Sequence, residues 1–112
     1  MILNKHQILI AEDLNYKIVT IPKWGGDVRL KSFTLKEQKQ FEELREADKP
    51  NDEVVLEVLL IACVDENCAP LFSREDLQLL QKKNAQVLID LFTHAMELNS
   101  ISQEELELKA KN

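Results

Sequence analysis

Hydrophobic residues are unevenly spread along this chain. Their densest stretch runs from Val54 to Val64, where the one charge is Glu57. As a helix, such a run is apolar on nearly all sides, which marks a central helix wrapped by its neighbours. Val and Ile also favour strands, but three features favour helix. Asn51 or Asp52 stands where an N-cap belongs. Asp52 and Glu53 fall in the first turn, against the positive end of the helix dipole. The block from 52 to 65 also exceeds the usual strand length of ~4–8 residues. The run is too short to cross a bilayer, which takes ~20 apolar residues. It is read as the hub of the core.

The other segments arrange themselves around this hub. Residues 4–13 form a short helix with modest apolar character from Ile8, Leu9 and Ala11. Tyr16, Ile18 and Thr20 then alternate with Lys17, Val19 and Ile21, a strand period. Pro22 ends that strand. Gly25-Gly26 supplies the positive φ angles of a tight connection. Val28-Arg29-Leu30-Lys31 alternates again, with the two cations on the outer face. Residues 14–33 are therefore expected as a β-hairpin. Thr34 and Glu37 make a capping box for an outer helix ending near Ala47, where Pro50 enforces a break. Beyond the hub, Leu71 and Phe72 return to the core, and Ser73 caps a short helix. Asn84 caps an amphipathic one, whose Ala85, Leu88, Leu91, Phe92, Ala95 and Met96 share a face laid on the hub. Asn99 and Ser100 end it. Ser102 and Glu105 suggest a last helix, fraying over the final ten or so residues. The expected fold is mainly α with one hairpin, an α+β domain spanning residues 1–112.

Composition refines this picture. With 112 residues, 45% apolar and 30% charged, the chain has enough material for one folded core. Aromatic residues make up 5%, so Leu, Ile and Val must do most of the packing. The net charge is −6, and the excess lies in residues 52–76, where Arg74 is the sole base. A phosphate backbone would repel that balance, which argues against nucleic-acid binding. The N-terminus lacks the ~7–15-residue apolar segment of a secretory signal. A reducing cytosol and free thiols are therefore expected for Cys63 and Cys68.

No arrangement of residues predicts catalysis, a cofactor or a metal. His6 and His94 have no metal-ligand spacing to the cysteines. Cys63 sits in an apolar run, where burial raises a thiol pKa. Asp65, Glu66, Glu75 and Asp76 lack the alternation and glycine of a calcium loop; they border helix ends. There is no phosphate loop and no nucleophile elbow. What stands out is mechanical. A two-stranded hairpin alone is marginal in water, and the pattern offers no third strand. The hairpin must lie on the helices or pair its edges with another copy. Trp24 at its tip either folds back over the hub or serves as an interface anchor. Trp24, Gly25, Gly26, Arg29 and Lys31 are the candidate protein-interaction residues.

An ordered set of segments resembles the tail assembly chaperones of long-tailed bacteriophages and prophages. Leu3-Asn4-Lys5-His6-Gln7-Ile8-Leu9 precedes Glu12-Asp13-Leu14. The stretch from Val19 to Leu30 follows, with its Pro22-x-Trp24-Gly25-Gly26 turn, the most specific piece. Val64-Asp65-Glu66-Asn67, Leu71-Phe72-Ser73 and Leu98-Asn99 with Ser102 and Glu105 complete a match over residues 3–107. The resemblance implies a non-enzymatic protein that coats the tape measure protein before the tail tube polymerises around it. It implies self-association, action in the host cytoplasm and absence from the mature virion. It also implies a longer form made by frameshifting, with which the Lys109-Ala110-Lys111-Asn112 ending is compatible. The competing reading is a structural tail component, a connector or completion protein that stays in the virion. A small transcriptional regulator is opposed by the acidic balance, and an enzyme by the lack of any nucleophile, base or metal cluster. Oligomerisation is expected through the hairpin or the N-terminal helix.

Overall fold

The computed structural model describes residues 1–101. The helix expected after Ser102 lies outside the described residues. The chain runs α1 (Lys5–Ile10), β1 (Tyr16–Ile21), β2 (Gly26–Lys31), α2 (Leu35–Glu46), α3 (Asn51–Ala62), β3 (Cys63–Val64), α4 (Leu77–Leu80) and α5 (Ala85–Leu98). This is a small α+β fold, as the residue pattern predicts.

α3 is the hub. Val58, Leu59 and Ala62 have no exposed surface. α5 packs against α3 and also against β1 and β2, while α2 packs on α3 from another side. The inward faces of the hairpin, Val19 and Ile21 on β1 with Val28 and Leu30 on β2, join the same core. Phe41 is the one buried residue of α2 and meets Phe33 with ring centroids 5.8 Å apart. The one charge within the apolar run is also accounted for. Glu57 accepts two hydrogen bonds from the Arg74 guanidinium, at 2.7 and 2.8 Å, so this fork ties the loop after β3 back to α3.

The caps at Thr34, Ser73 and Asn84 fall where the sequence places them, and Asn4 supplies a further one. Asn4 and Thr34 each complete a capping box, on α1 and α2. Ser73 does so for a 3-10 turn, Arg74–Asp76, that leads into α4. Asn84 accepts the Val87 N–H at 3.1 Å to start α5.

Four expectations need correction. The hub helix is shorter than 52–65: it stops at Ala62, and Cys63 turns to an extended backbone. Its start is also different, because Pro50 takes the cap position with no side-chain hydrogen bond. Second, a third strand exists. Val64 pairs with Arg29 and Cys63 with Leu30, giving an antiparallel sheet in the order β1-β2-β3. The apolar run thus serves two elements, and its last residues use their strand preference to satisfy the inner edge of β2. Third, the hairpin connection is longer than a tight two-residue turn. Pro22–Trp24 form a 3-10 turn closed by Gly25 at φ 71°, whose N–H donates to the Pro22 carbonyl at 3.1 Å. Gly26 is already in β2, paired with Ile21, so one of the two glycines needs the left-handed region. Fourth, Leu71 does not return to the core: it is exposed, while Phe72 packs against the cluster.

Candidate functional site

The five residues singled out from the sequence do not converge. Trp24 ends the 3-10 turn and packs partly buried against the core, which is the fold-back alternative for this side chain. Gly25 and Gly26 lie beside it, with open space where a Cβ would stand. Arg29 sits mid-strand on the outer face of the sheet. Its guanidinium lies 4.4 Å from the centre of the Tyr16 ring, a cation–π contact, and Nη1 donates to the Glu66 carbonyl at 3.5 Å.

Lys31 was expected to face outward and does not. It is 8% exposed. Its ammonium donates to the Glu37 carboxylate and, at 3.3 Å, to the Ser32 carbonyl. The reason is the neighbouring capping box. Glu37 already accepts the Thr34 N–H at 3.0 Å, and α2 begins close behind the end of β2. The carboxylate fixed at that helix start draws the long lysine stem inward over apolar surface.

The chemistry-bearing residues have structural partners. Cys63 is fully buried, and burial pushes its thiol up to about 12, the opposite of an activated nucleophile. Cys68 is exposed on the loop after β3, where its side chain hydrogen-bonds Tyr16 and raises the phenol above its usual range. Asp65 shapes that loop by accepting the N–H groups of Asn67 and Ala69 at 2.8 and 3.0 Å. His94 Nδ1 lies 2.8 Å from the Lys17 ammonium. With lysine as donor, the imidazole is the acceptor and carries its proton on Nε2. No group of three or more His, Cys, Asp or Glu positioned to hold a metal is found among the described residues. No described helix is long and apolar enough to cross a membrane.

The surface also carries grooves. One of about 730 Å³, between α2, α3 and the segment 70–74, is of mixed character: Leu44, Leu60, Ile61 and Phe72 line it together with Glu43, Lys49, Glu57 and Arg74. A second, of about 450 Å³, opens where α3 and α5 begin and is lined by Val55, Leu56, Leu88 and Ile89. β1 is an edge strand of the sheet and shows Tyr16 and Ile18 to solvent. The segment through α1 is the most exposed of all: Ile2, Leu3, Ile8, Leu9 and Ile10 are all open, and no residue of α1 is buried. Sequence reasoning placed interaction at the hairpin tip and gave the helix only as one of two routes to self-association. The signal for α1 was present in its consecutive aliphatic residues Ile8, Leu9 and Ile10. The grooves had no signal, because they arise between elements distant in sequence.

These features define a class: a small α+β protein with aliphatic side chains left on its surface and, among the described residues, no cluster of metal-ligating groups. Comparison with protein-family models finds no match, and comparison with curated proteins finds none. Among solved structures, the fold matches that of the bacteriophage HK97 tail assembly chaperone. The TM-score is 0.60 at 20% sequence identity, over 83% of this chain and 90% of that one.

Proposed function

We propose that this chain is a tail assembly chaperone of a long-tailed phage or prophage. It acts without catalysis, in the host cytoplasm. It binds the tape measure protein, keeps it competent while the tail tube protein polymerises around it, and associates with further copies of itself. The observation that carries this reading is the shared fold with the HK97 tail assembly chaperone over most of both chains. The Pro22-x-Trp24-Gly25-Gly26 turn and the Asp65-Glu66-Asn67 loop support it from the sequence. The groove at the starts of α3 and α5 supports it physically, since a mainly apolar lining suits the amphipathic helices of a long helical partner.

The test is co-expression with the tape measure protein encoded beside it, followed by affinity capture and mass spectrometry of mature particles. The expected result is a soluble complex of the two proteins and particles that lack this chain. Stoichiometric recovery of the chain from particles would instead establish the retained structural component. Failure to capture the tape measure protein would sink the chaperone reading.

A further inference from the structure

The two edges of the sheet differ. At β3 the chain folds back on itself. The Leu71 N–H donates to the Cys63 carbonyl at 3.0 Å, the Asp65 N–H donates to the Ala69 carbonyl at 2.8 Å, and Pro70 lies opposite Val64. That edge is closed by its own return segment and by a proline, which has no N–H to offer. At β1 there is no such cover among the described residues.

The register fixes which backbone groups are left over. The Ser32 N–H donates to the Asn15 carbonyl at 2.8 Å, so these two residues form a hydrogen-bonded pair. Such pairs alternate along an antiparallel ladder. Lys17, Val19 and Ile21 therefore bond toward β2, to Leu30, Val28 and Gly26. The N–H and C=O groups of Tyr16, Ile18 and Thr20 point the other way, along the free edge. The pairing of Arg29 with Val64 agrees, because Arg29, opposite Ile18, turns its own groups to β3. Among the described residues, no backbone group in this outward row has a hydrogen-bond partner. Lys17, the one charge on the strand, does not guard the edge. Its ammonium is held on α5 by His94 at 2.8 Å and Glu97 at 3.5 Å.

Between β1 and α5 lies a cleft of about 310 Å³. Val19, Ile21 and Val87 give it apolar walls, and Lys23 borders it from the turn after β1. Lys23 is exposed and has no ion pair or hydrogen bond among the described residues. A row of free amides and carbonyls at every second residue fits one kind of occupant, an extended backbone. A helix bonds those groups internally, so the amphipathic helices that suit the α3–α5 groove do not suit this edge. An added strand would turn alternate side chains toward the cleft.

We propose that the free edge of β1 takes an extended segment of a partner protein as a fourth strand. The segment carries apolar side chains at alternate positions, beside Val19 and Ile21, and a carboxylate where it passes Lys23. The inference rests on the proposed function for the identity of that partner, the tape measure protein.

Hydrogen–deuterium exchange and affinity capture on the co-expressed complex test this, with the parent chain, Ile18→Pro and Ile18→Thr. Proline removes an N–H that the fold does not use, so the unfolding midpoint should stay near the parent's; Thr20→Pro serves if Ile18→Pro unfolds. Threonine keeps the N–H and the strand preference while removing apolar surface. The Ile18 and Thr20 amides are expected to exchange rapidly in the free chain and at least ~tenfold more slowly in the complex. Ile18→Pro should weaken capture by ~tenfold or more, while Ile18→Thr captures like the parent. Four results would overturn the inference. They are slow exchange of these amides in the free, dilute chain, unchanged exchange in the complex, parental capture by Ile18→Pro, or equal losses for Ile18→Pro and Ile18→Thr. The first means that the edge is already filled, and the last assigns the contact to the side chain. With any of the four, capture by the parent still leaves the proposed function standing. A parent that captures nothing removes that function and this inference with it.

Discussion

Lys31→Met separates a structural lysine from an interface lysine. The lysine and glutamate side chains of the Lys31–Glu37 pair are 10% and 23% exposed. Exposed ion pairs contribute ~0–1 kcal/mol, whereas removing one member of a fully buried pair costs ~3–5 kcal/mol. This pair lies between those limits and nearer the second. Two features lower the cost. Methionine keeps most of the stem volume, so no cavity forms. Glu37 also retains the Thr34 N–H and some contact with water. Lost are the charge-assisted bond to Glu37 and the bond to the Ser32 carbonyl, so the expected loss is ~2 kcal/mol. In urea denaturation, with a slope of about 1–2 kcal/mol/M for a chain of this size, the midpoint should fall by ~1–2 M. The loss should persist in high salt, since a shielded pair is weakly screened. Glu37→Gln closes a double-mutant cycle with an expected coupling of ~1 kcal/mol or more. A change within ±0.5 kcal/mol, the range of ordinary surface substitutions, would refute the argument. Lys31 would then face outward in solution and return to the list of contact residues.

Three further outcomes are expected. Leu59→Ala, at a position with no exposed surface at the centre of the hub, should lose ~2–5 kcal/mol in the same denaturation assay. Gly25→Ala should cost ~1–2 kcal/mol and Gly26→Ala much less: both have open space for a Cβ, but Gly25 alone of the two sits at positive φ, 71°, where an L-residue is strained. Cys68 should react with a thiol reagent at neutral pH and Cys63 on unfolding alone, which timed mass spectrometry resolves. Because burial raises Cys63 from its ordinary value near 9 to about 12, the folded state holds a proton there that the unfolded state releases. Its contribution is intact below pH 9 and declines by ~1.4 kcal/mol per pH unit above it. A Cys63→Ala variant should show a flatter decline in urea midpoint between pH 9 and 11.

Local chemistry made much of this fold legible. A capping residue acts on amides three positions away, so Thr34, Ser73 and Asn84 announce their helices without any knowledge of the rest of the chain. The alternation from Tyr16 to Lys31 does the same for the hairpin. What escaped depended on distance. The turn of Cys63–Val64 into a strand satisfies an edge of β2 that lies more than thirty residues earlier. A continuous apolar run contains no mark of where its helix ends. Lys31 reads as solvent-facing because the alternation with Leu30 is local, while the carboxylate that draws it inward belongs to the next element. The candidate site suffered most. Trp24 drew attention as a large residue at a turn, yet it packs on the core, whereas the aliphatic residues of α1 looked like ordinary helix and are the ones left in water.

That contrast bears on function more than any single residue does. Glu57 holds Arg74, Lys31 holds Glu37, Lys17 meets His94, and Asp65 and Asp76 take backbone N–H groups. Each of these polar groups has a partner inside the chain. The aliphatic surface is in the opposite condition. Ile2, Ile8, Leu9 and Ile10 on one segment, Ile18 on an edge strand and Ile89 on a groove lip all remain in water. Full burial of such a side chain stabilises by ~1.5–3 kcal/mol. Covering even the α1 cluster therefore releases enough free energy to offset much of the ~4–15 kcal/mol that association costs in lost freedom. A surface of this kind lowers its free energy by meeting another apolar surface, and the charges flanking it select which one. On the proposed function, this exposed aliphatic surface is the part of the chain that a partner protein covers.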